Sequence, residues 1–156
     1  MVKIREAERK DVATILDLIK GLAEYEKEPH EVKNTVEGLT RHIFEENYCE
    51  AMVAEEAGEV IGFAIYYTSY STWKGPCIYL EDLYVLPEKR NLRAGSKLFD
   101  AVVTIAKERN VSRMDWQVLD WNQLAIDFYE RKGATIDKDW YNGRMFFREN
   151  EGKLTQ

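Results

Sequence analysis

The sequence predicts an α/β (α+β) fold, a mixed and mostly antiparallel sheet with helices on both faces. Three observations carry the prediction. Apolar residues recur at helical spacing in four stretches. Between the second and third of these the period shortens to two over three consecutive segments. The later helical stretches then alternate with strand-like runs, the order expected of crossover units. No repeat, low-complexity tract or linker interrupts this order. At 156 residues and 45% hydrophobic content, residues 1–156 read as one domain with a sizeable core.

VKIREA alternates as a short strand. Asp11 stands where an N-cap is expected, and Val12, Ile15, Leu16, Ile19 and Leu22 then share a helical face to about Glu26, where KEPHE breaks the pattern. A second helical stretch covers Thr35 to Glu46. EAMVAEE and VIGFAIYYTSY, joined at Ala57-Gly58-Glu59, form a hairpin, and CIYLEDLYVL adds a further strand. A third helix buries Leu98, Ala101, Val102 and Ile105. SRMDWQVL reads as a strand and NQLAIDFYERK as a helix stopped by Gly133. ATI and RMFFR read as closing strands, and the tail ENEGKLTQ is expected to fray.

With 28 acidic against 22 basic side chains the net charge is -6, which disfavours non-specific nucleic-acid binding. No apolar run approaches the roughly 18 residues of a membrane span. The start MVKIREAERKD is charged and lacks an apolar signal segment, and Cys49 and Cys77 form no CxxC pair. A soluble protein of the reducing cytoplasm is expected. Neither cysteine has an obvious base, and His30 and His42 read as surface or packing residues, so no nucleophilic triad or metal site is expected.

RNLRAGS, Arg90 to Ser96, lies where a strand hands the chain to a helix. A helix start presents unpaired N–H groups and partial positive charge, so the segment can hold a phosphate; it can equally be an ordinary turn with solvated basic residues. Neither GxGxxG nor GxxxxGK[ST] is present. Tyr129 follows Asn122 by seven residues, two helical turns along one face, where a cap and a core aromatic are the plain alternative to a site. In YLED, strand alternation sends Glu81 and Asp82 to opposite faces, so only one of them is expected in a pocket.

In their order and spacing, YLEDLYVLPEKR, the turn and helix after it, and LDWNQLAIDFYERKGA resemble the GNAT acyl-CoA N-acetyltransferases, specifically the diamine (spermidine/spermine) and thialysine branch. LAEYEKE, STWKG and LDWNQ add to the likeness, which runs from VKIREA through Gly133. The resemblance implies a GNAT fold, acetyl-CoA as cofactor, a small-molecule amine as substrate and a homodimer. It implies that the strand at Leu83, Tyr84 and Val85 bonds the pantetheine arm, with the Leu83 N–H toward the thioester oxygen. The loop of Arg90, Asn91, Leu92, Arg93, Ala94, Gly95 and Ser96 would take the pyrophosphate, and Asn122 would bond the cofactor near its pantetheine end. Tyr129 is the implied general acid and Glu81 the implied base. Tyr25, Glu26, Glu81, Asp82, Trp73, Asp115, Trp116 and Gln117 would line the amine site.

In this family the loop usually reads R-G-x-G-x-G, whereas here Asn91 and Arg93 stand at the first two glycine positions. A left-handed backbone there costs about 1 kcal/mol for Asn and more for Arg. Arg93 can offset this by a charge-assisted bond to a phosphate. The expected reaction is acetyl transfer from acetyl-CoA to the primary amine of a thialysine-, lysine- or polyamine-like molecule by direct attack. The alternatives are a peptide or protein N-acetyltransferase and a catalytically weak CoA-binding module.

Overall fold

The alternating segments pair as the pattern requires. In this computed structural model, which describes residues 1–148, β1 (Val2–Glu6), β2 (Glu50–Glu56), β3 (Glu59–Ser71), β4 (Gly75–Val85) and β5 (Met114–Asp115) form one sheet in sequence order. All neighbours are antiparallel except β4 and β5, which run parallel. Ala57 and Gly58 turn the β2–β3 hairpin with φ of 50° and 81°, the left-handed pair that matches strand twist. Gly62 is opposite Val85, and a Cβ there would lie 2.8 Å from the Tyr84 carbonyl oxygen, so a side chain would force β3 and β4 apart.

Helix α1 (Val12–Tyr25) and the short α2 (Val36–Thr40) cover one face, burying Val12, Ile15 and Leu39 against Val53, Phe63 and Ile65. Thr35 caps α2 by accepting the Gly38 N–H at 3.0 Å. The helical stretch expected from Thr35 to Glu46 is present, α2 passing without a break into a π-helical segment, Arg41–Glu45, with Thr35 and Glu46 as the outer caps. On the other face Ala64, Tyr66 and Leu80 are buried, and α3 (Ala94–Glu108) supplies Leu98, Phe99 and Val102.

Asp11 does not cap α1 with its side chain. A short turn, Arg9–Asp11, precedes the helix, and the carboxylate, 4% exposed, takes the Arg5 guanidinium at 2.7 Å and the Glu8 N–H at 2.8 Å. Arg5 also reaches Glu55 at 2.8 Å, tying β1, β2 and the start of α1 together. The Arg5 bond holds the Asp11 carboxyl below its ordinary range.

The chain divides into two compact units, residues 1–117 and the residues from Val118 onward. The second contains α4 (Gln123–Arg131), capped by Asn122, whose Oδ1 accepts the Ala125 N–H at 3.2 Å; Gly133 follows with φ of 93°. The strand expected at SRMDWQVL is regular only at Met114–Asp115. ATI and RMFFR do not form strands. From Ala134 to Arg148 no regular structure is present, and Trp140 and Phe147 are 82% and 89% exposed. Among the described residues, apolar alternation there meets no strand that takes its backbone bonds; the Asp137 carboxylate accepts the Asp139 N–H at 2.9 Å and the Trp140 Nε1–H at 3.1 Å. The expectation for ENEGKLTQ lies outside the described residues.

Candidate active site

One inserted residue organises β4. The Ile78 N–H donates to Arg113 O at 3.0 Å, toward β5, whereas the Leu86 N–H donates to Ile61 O at 2.9 Å, toward β3. Residues of equal parity in a regular strand face the same edge, so the parity must switch between them. The register shows where: Tyr66 is opposite Leu80 and Ile65 opposite Asp82, leaving Glu81 as the extra residue of a β-bulge. Counting back from Leu86, the backbone groups of Leu83 and Val85 face the β5 side, and those of Tyr84 face β3. Yet among the described residues β5 pairs only with Ile78 and Tyr79. Beyond the bulge, β4 therefore presents a strand edge that β5 does not cover.

The loop after β4 is a tight turn, Pro87–Leu92, containing Arg90, Asn91 and Leu92. Of the two residues at the usual glycine positions, Arg93 alone takes the left-handed region, with φ of 60° and ψ of 21°. That conformation costs about 1–2 kcal/mol for a residue with a Cβ. The first bond of α3 runs from the Lys97 N–H to Arg93 O at 3.1 Å, so the Ala94 and Gly95 amides precede the helical ladder, as does that of Ser96. A Cβ at Gly95 would meet only Val85 Cγ2, at 3.8 Å. Arg90 turns back: its guanidinium lies 5.2 Å from the Tyr25 ring and 5.7 Å from the Tyr84 ring, and Nε donates to Val85 O at 3.3 Å. Tyr84 is buried beside Gly21 of α1. An open strand edge followed by a helix start fits an acyl-CoA, whose pantetheine amides need strand-like partners and whose pyrophosphate needs N–H groups and cations.

Of the two neighbouring carboxylates, Glu81 is exposed and Asp82 is partly buried. Asp82, the partner of Ile65, lies on the α1 face, and the extra residue Glu81 removes simple alternation between them. Burial, the Glu81 carboxylate and the Glu26 carboxylate together push the Asp82 carboxyl up to about 7. Glu26, at the end of α1, is itself raised by burial. On the same face, one step beyond Ile65, Tyr67 and its partner Tyr79 stack at 5.2 Å with 29° between ring planes. Burial and Glu81 raise the Tyr67 phenol, and burial, Glu50 and Glu81 raise the Cys49 thiol.

Of the remaining residues expected at the amine site, Asp115 shares the sheet face of Tyr79 and the others lie elsewhere. Asp115 is the partner of Tyr79 and is ion-paired with Arg113 at 2.8 Å. Trp116 meets Phe99 of α3 edge-on at 5.4 Å, on the opposite face from Asp82; Gln117 is exposed. Trp73 sits at the β3–β4 hairpin tip, 91% exposed. Six residues of β3 separate that tip from the Asp82 pairing, roughly 20 Å of strand, so the chain does not bring Trp73 to the carboxyl group. In the second unit Asn122 caps α4 and Tyr129, two turns on, is buried and meets Phe128 edge-on at 5.3 Å. Sequence reasoning missed Tyr67, Tyr79 and Cys49. The two tyrosines are legible only once β3 and β4 are paired.

The sheet is mixed, its parallel partner covers only the start of the bulged β4, and a helix start follows, an arrangement that leaves a strand edge and helix-start amides side by side. The chain belongs to the acetyltransferase (GNAT) family, whose model matches residues 13–134, and is an acetyltransferase. It is 45% identical to a Bos taurus thialysine N-epsilon-acetyltransferase over 97% of this chain and 98% of that protein. It is 35% identical to a Homo sapiens spermidine/spermine N(1)-acetyltransferase-like protein over 97% of this chain and 23% of the other. Among solved structures, an aminoglycoside acetyltransferase from an uncultured soil sample superposes with a TM-score of 0.78 over 94% of this chain and 97% of the other, at 19% identity. No helix among the described residues is long and apolar enough to cross a membrane.

Proposed function

We propose that the protein transfers the acetyl group of acetyl-CoA to the primary amine of a small molecule, and that thialysine or a close lysine-like amine is its substrate. The supporting names are those of relatives aligned along nearly the whole chain. The observation that carries the chemistry is the Glu81 bulge, which opens the β4 edge at Leu83 and Val85 and sets Asp82 among carboxylates.

Acetyl-CoA supplies an activated acetyl group; the chain's residues do the rest. An alkyl ammonium has a pKa near 10.4 and must lose a proton before it attacks. Glu81 and Glu26 attract the cation. Asp82, at about 7, accepts its proton across about 3.4 pH units, where an ordinary carboxylate at 3.8 would face about 6.6. In this reading Asp82 takes the base role first given to Glu81, and Glu81 becomes the anchor. With acetyl-CoA bound, the Leu83 N–H would face the thioester oxygen, Tyr129 would supply a proton to the departing sulfur, and Asn122 would hold the pantetheine. The turn from Arg90 to Ser96 would hold the pyrophosphate. Arg90 must then leave Val85 O, which it occupies here.

The proposal extends to one catalytic domain, since the family match at residues 13–134 runs through both compact units, and to a cytoplasmic homodimer. A half-buried carboxyl cluster favours a small amine over a peptide. An acetyl-CoA-dependent thiol-release screen against thialysine, lysine, spermidine, spermine and a basic peptide tests it. Turnover of thialysine or lysine above the others supports the assignment; turnover of the peptide alone refutes it.

A further inference from the structure

The Tyr67–Tyr79 pair has no part in the reaction described above. The apolar cluster beneath α1 and α2 includes Phe63 and Ile65 but stops there, and Tyr67 is the next residue of β3 on that face. Both residues are partly buried, and their stack lies next along that face of the sheet from the Ile65–Asp82 pair. Aromatic faces beside carboxylates suit an alkyl ammonium: the carboxylates take the charge, and the ring quadrupole attracts the cation and the polarised methylenes next to it.

Carboxylates alone cannot rank thialysine against lysine. The two amines have the same length and the same charged ends, and differ by a sulfur in place of one methylene. A surface that touches the chain between those ends can tell them apart, and a thioether makes a favourable contact with an aromatic ring. We infer that Tyr67 and Tyr79 form the specificity-determining wall of the amine site, lying along the chain that carries the ammonium and favouring a thioether over a methylene. The inference rests on the amine-acetyltransferase reading.

The test compares kcat/KM for thialysine and lysine at saturating acetyl-CoA in the wild type, Tyr67→Leu, Tyr79→Leu and Tyr67→Phe. The thialysine-to-lysine ratio should fall about two- to tenfold in the leucine variants, and persist in Tyr67→Phe, which keeps the ring. An unchanged ratio in both leucine variants, with activity lost equally toward both amines, would overturn the inference; it would mean the pair only braces the sheet or that the preference comes from the amine's own acidity. Calorimetric titration of each amine into wild type with CoA covers variants that fail to fold. Thialysine should bind about two- to tenfold tighter, and equal affinities, or no binding of either amine, overturn the inference. Absent turnover with intact, discriminating binding sinks the proposed reaction and leaves the wall standing. Turnover with no discrimination does the reverse.

Discussion

Replacing Asp82 with asparagine keeps the side chain's shape and removes its charge. The unfolded chain releases this proton near 3.8, whereas the folded protein holds it until about 7, because burial and the Glu81 and Glu26 carboxylates oppose ionisation. Between those values the folded state binds more protons than the unfolded one, so rising pH erodes stability, and above about 7 the loss is complete and constant. A difference of about 3.2 pH units at 1.36 kcal/mol each sets a ceiling of about 4 kcal/mol. Asp82→Asn should therefore match the wild type near pH 4, gain through pH 5 to 7, and exceed it by about 2–4 kcal/mol at pH 8. The same change should lower kcat/KM by about 100-fold or more, through loss of a general base. Urea unfolding followed by tryptophan fluorescence from pH 4.5 to 8.5 measures the first effect. A variant no more stable than wild type at pH 8, or a gain that ignores pH, would refute the reasoning.

Tyr129→Phe should reduce kcat tenfold or more with acetyl-CoA affinity unchanged in calorimetry, as loss of a proton donor requires. Arg93→Gly relieves a left-handed residue at the start of α3 but gives the unfolded chain more freedom, so its net gain should be about 0.5–1 kcal/mol in denaturant unfolding. Arg5→Ala strands the buried Asp11 carboxylate and should cost about 3–5 kcal/mol at neutral pH. Because Arg5 lowers the Asp11 pKa, the stability it lends is present above the ordinary carboxylate range and vanishes as pH falls through the folded value, so the variant's deficit should shrink in acid.

Local chemistry was legible in the sequence wherever a residue acts on its immediate neighbours. The stripe of α1, the Ala57-Gly58 turn, the Asn122 cap and the Gly133 stop all follow from spacing and side-chain type. What depended on pairing was hidden. YLED reads as regular alternation until Leu80 and Asp82 are seen opposite consecutive residues of β3, and that one insertion turns Leu83 and Val85 to the open edge and gathers Asp82 with other carboxylates. Asp11 looked like a helix cap because its partner, Arg5, belongs to a separate element. RMFFR alternates like a strand, but a strand also needs a neighbour, and no pairing partner is present for it among the described residues. The family resemblance located the loop from Arg90 to Ser96; the geometry showed that Arg93, not Asn91, takes the glycine-like conformation there.

The central claim is that the bulged strand gathers an ammonium among carboxylates and that Asp82 takes its proton. The pH dependence of kcat/KM for thialysine, measured by acetyl-CoA-dependent thiol release in wild type and Asp82→Asn, tests it most directly. An acidic limb near pH 7 in the wild type, absent from a greatly slowed variant, is the predicted result; the same limb and the same rate in both proteins would contradict it.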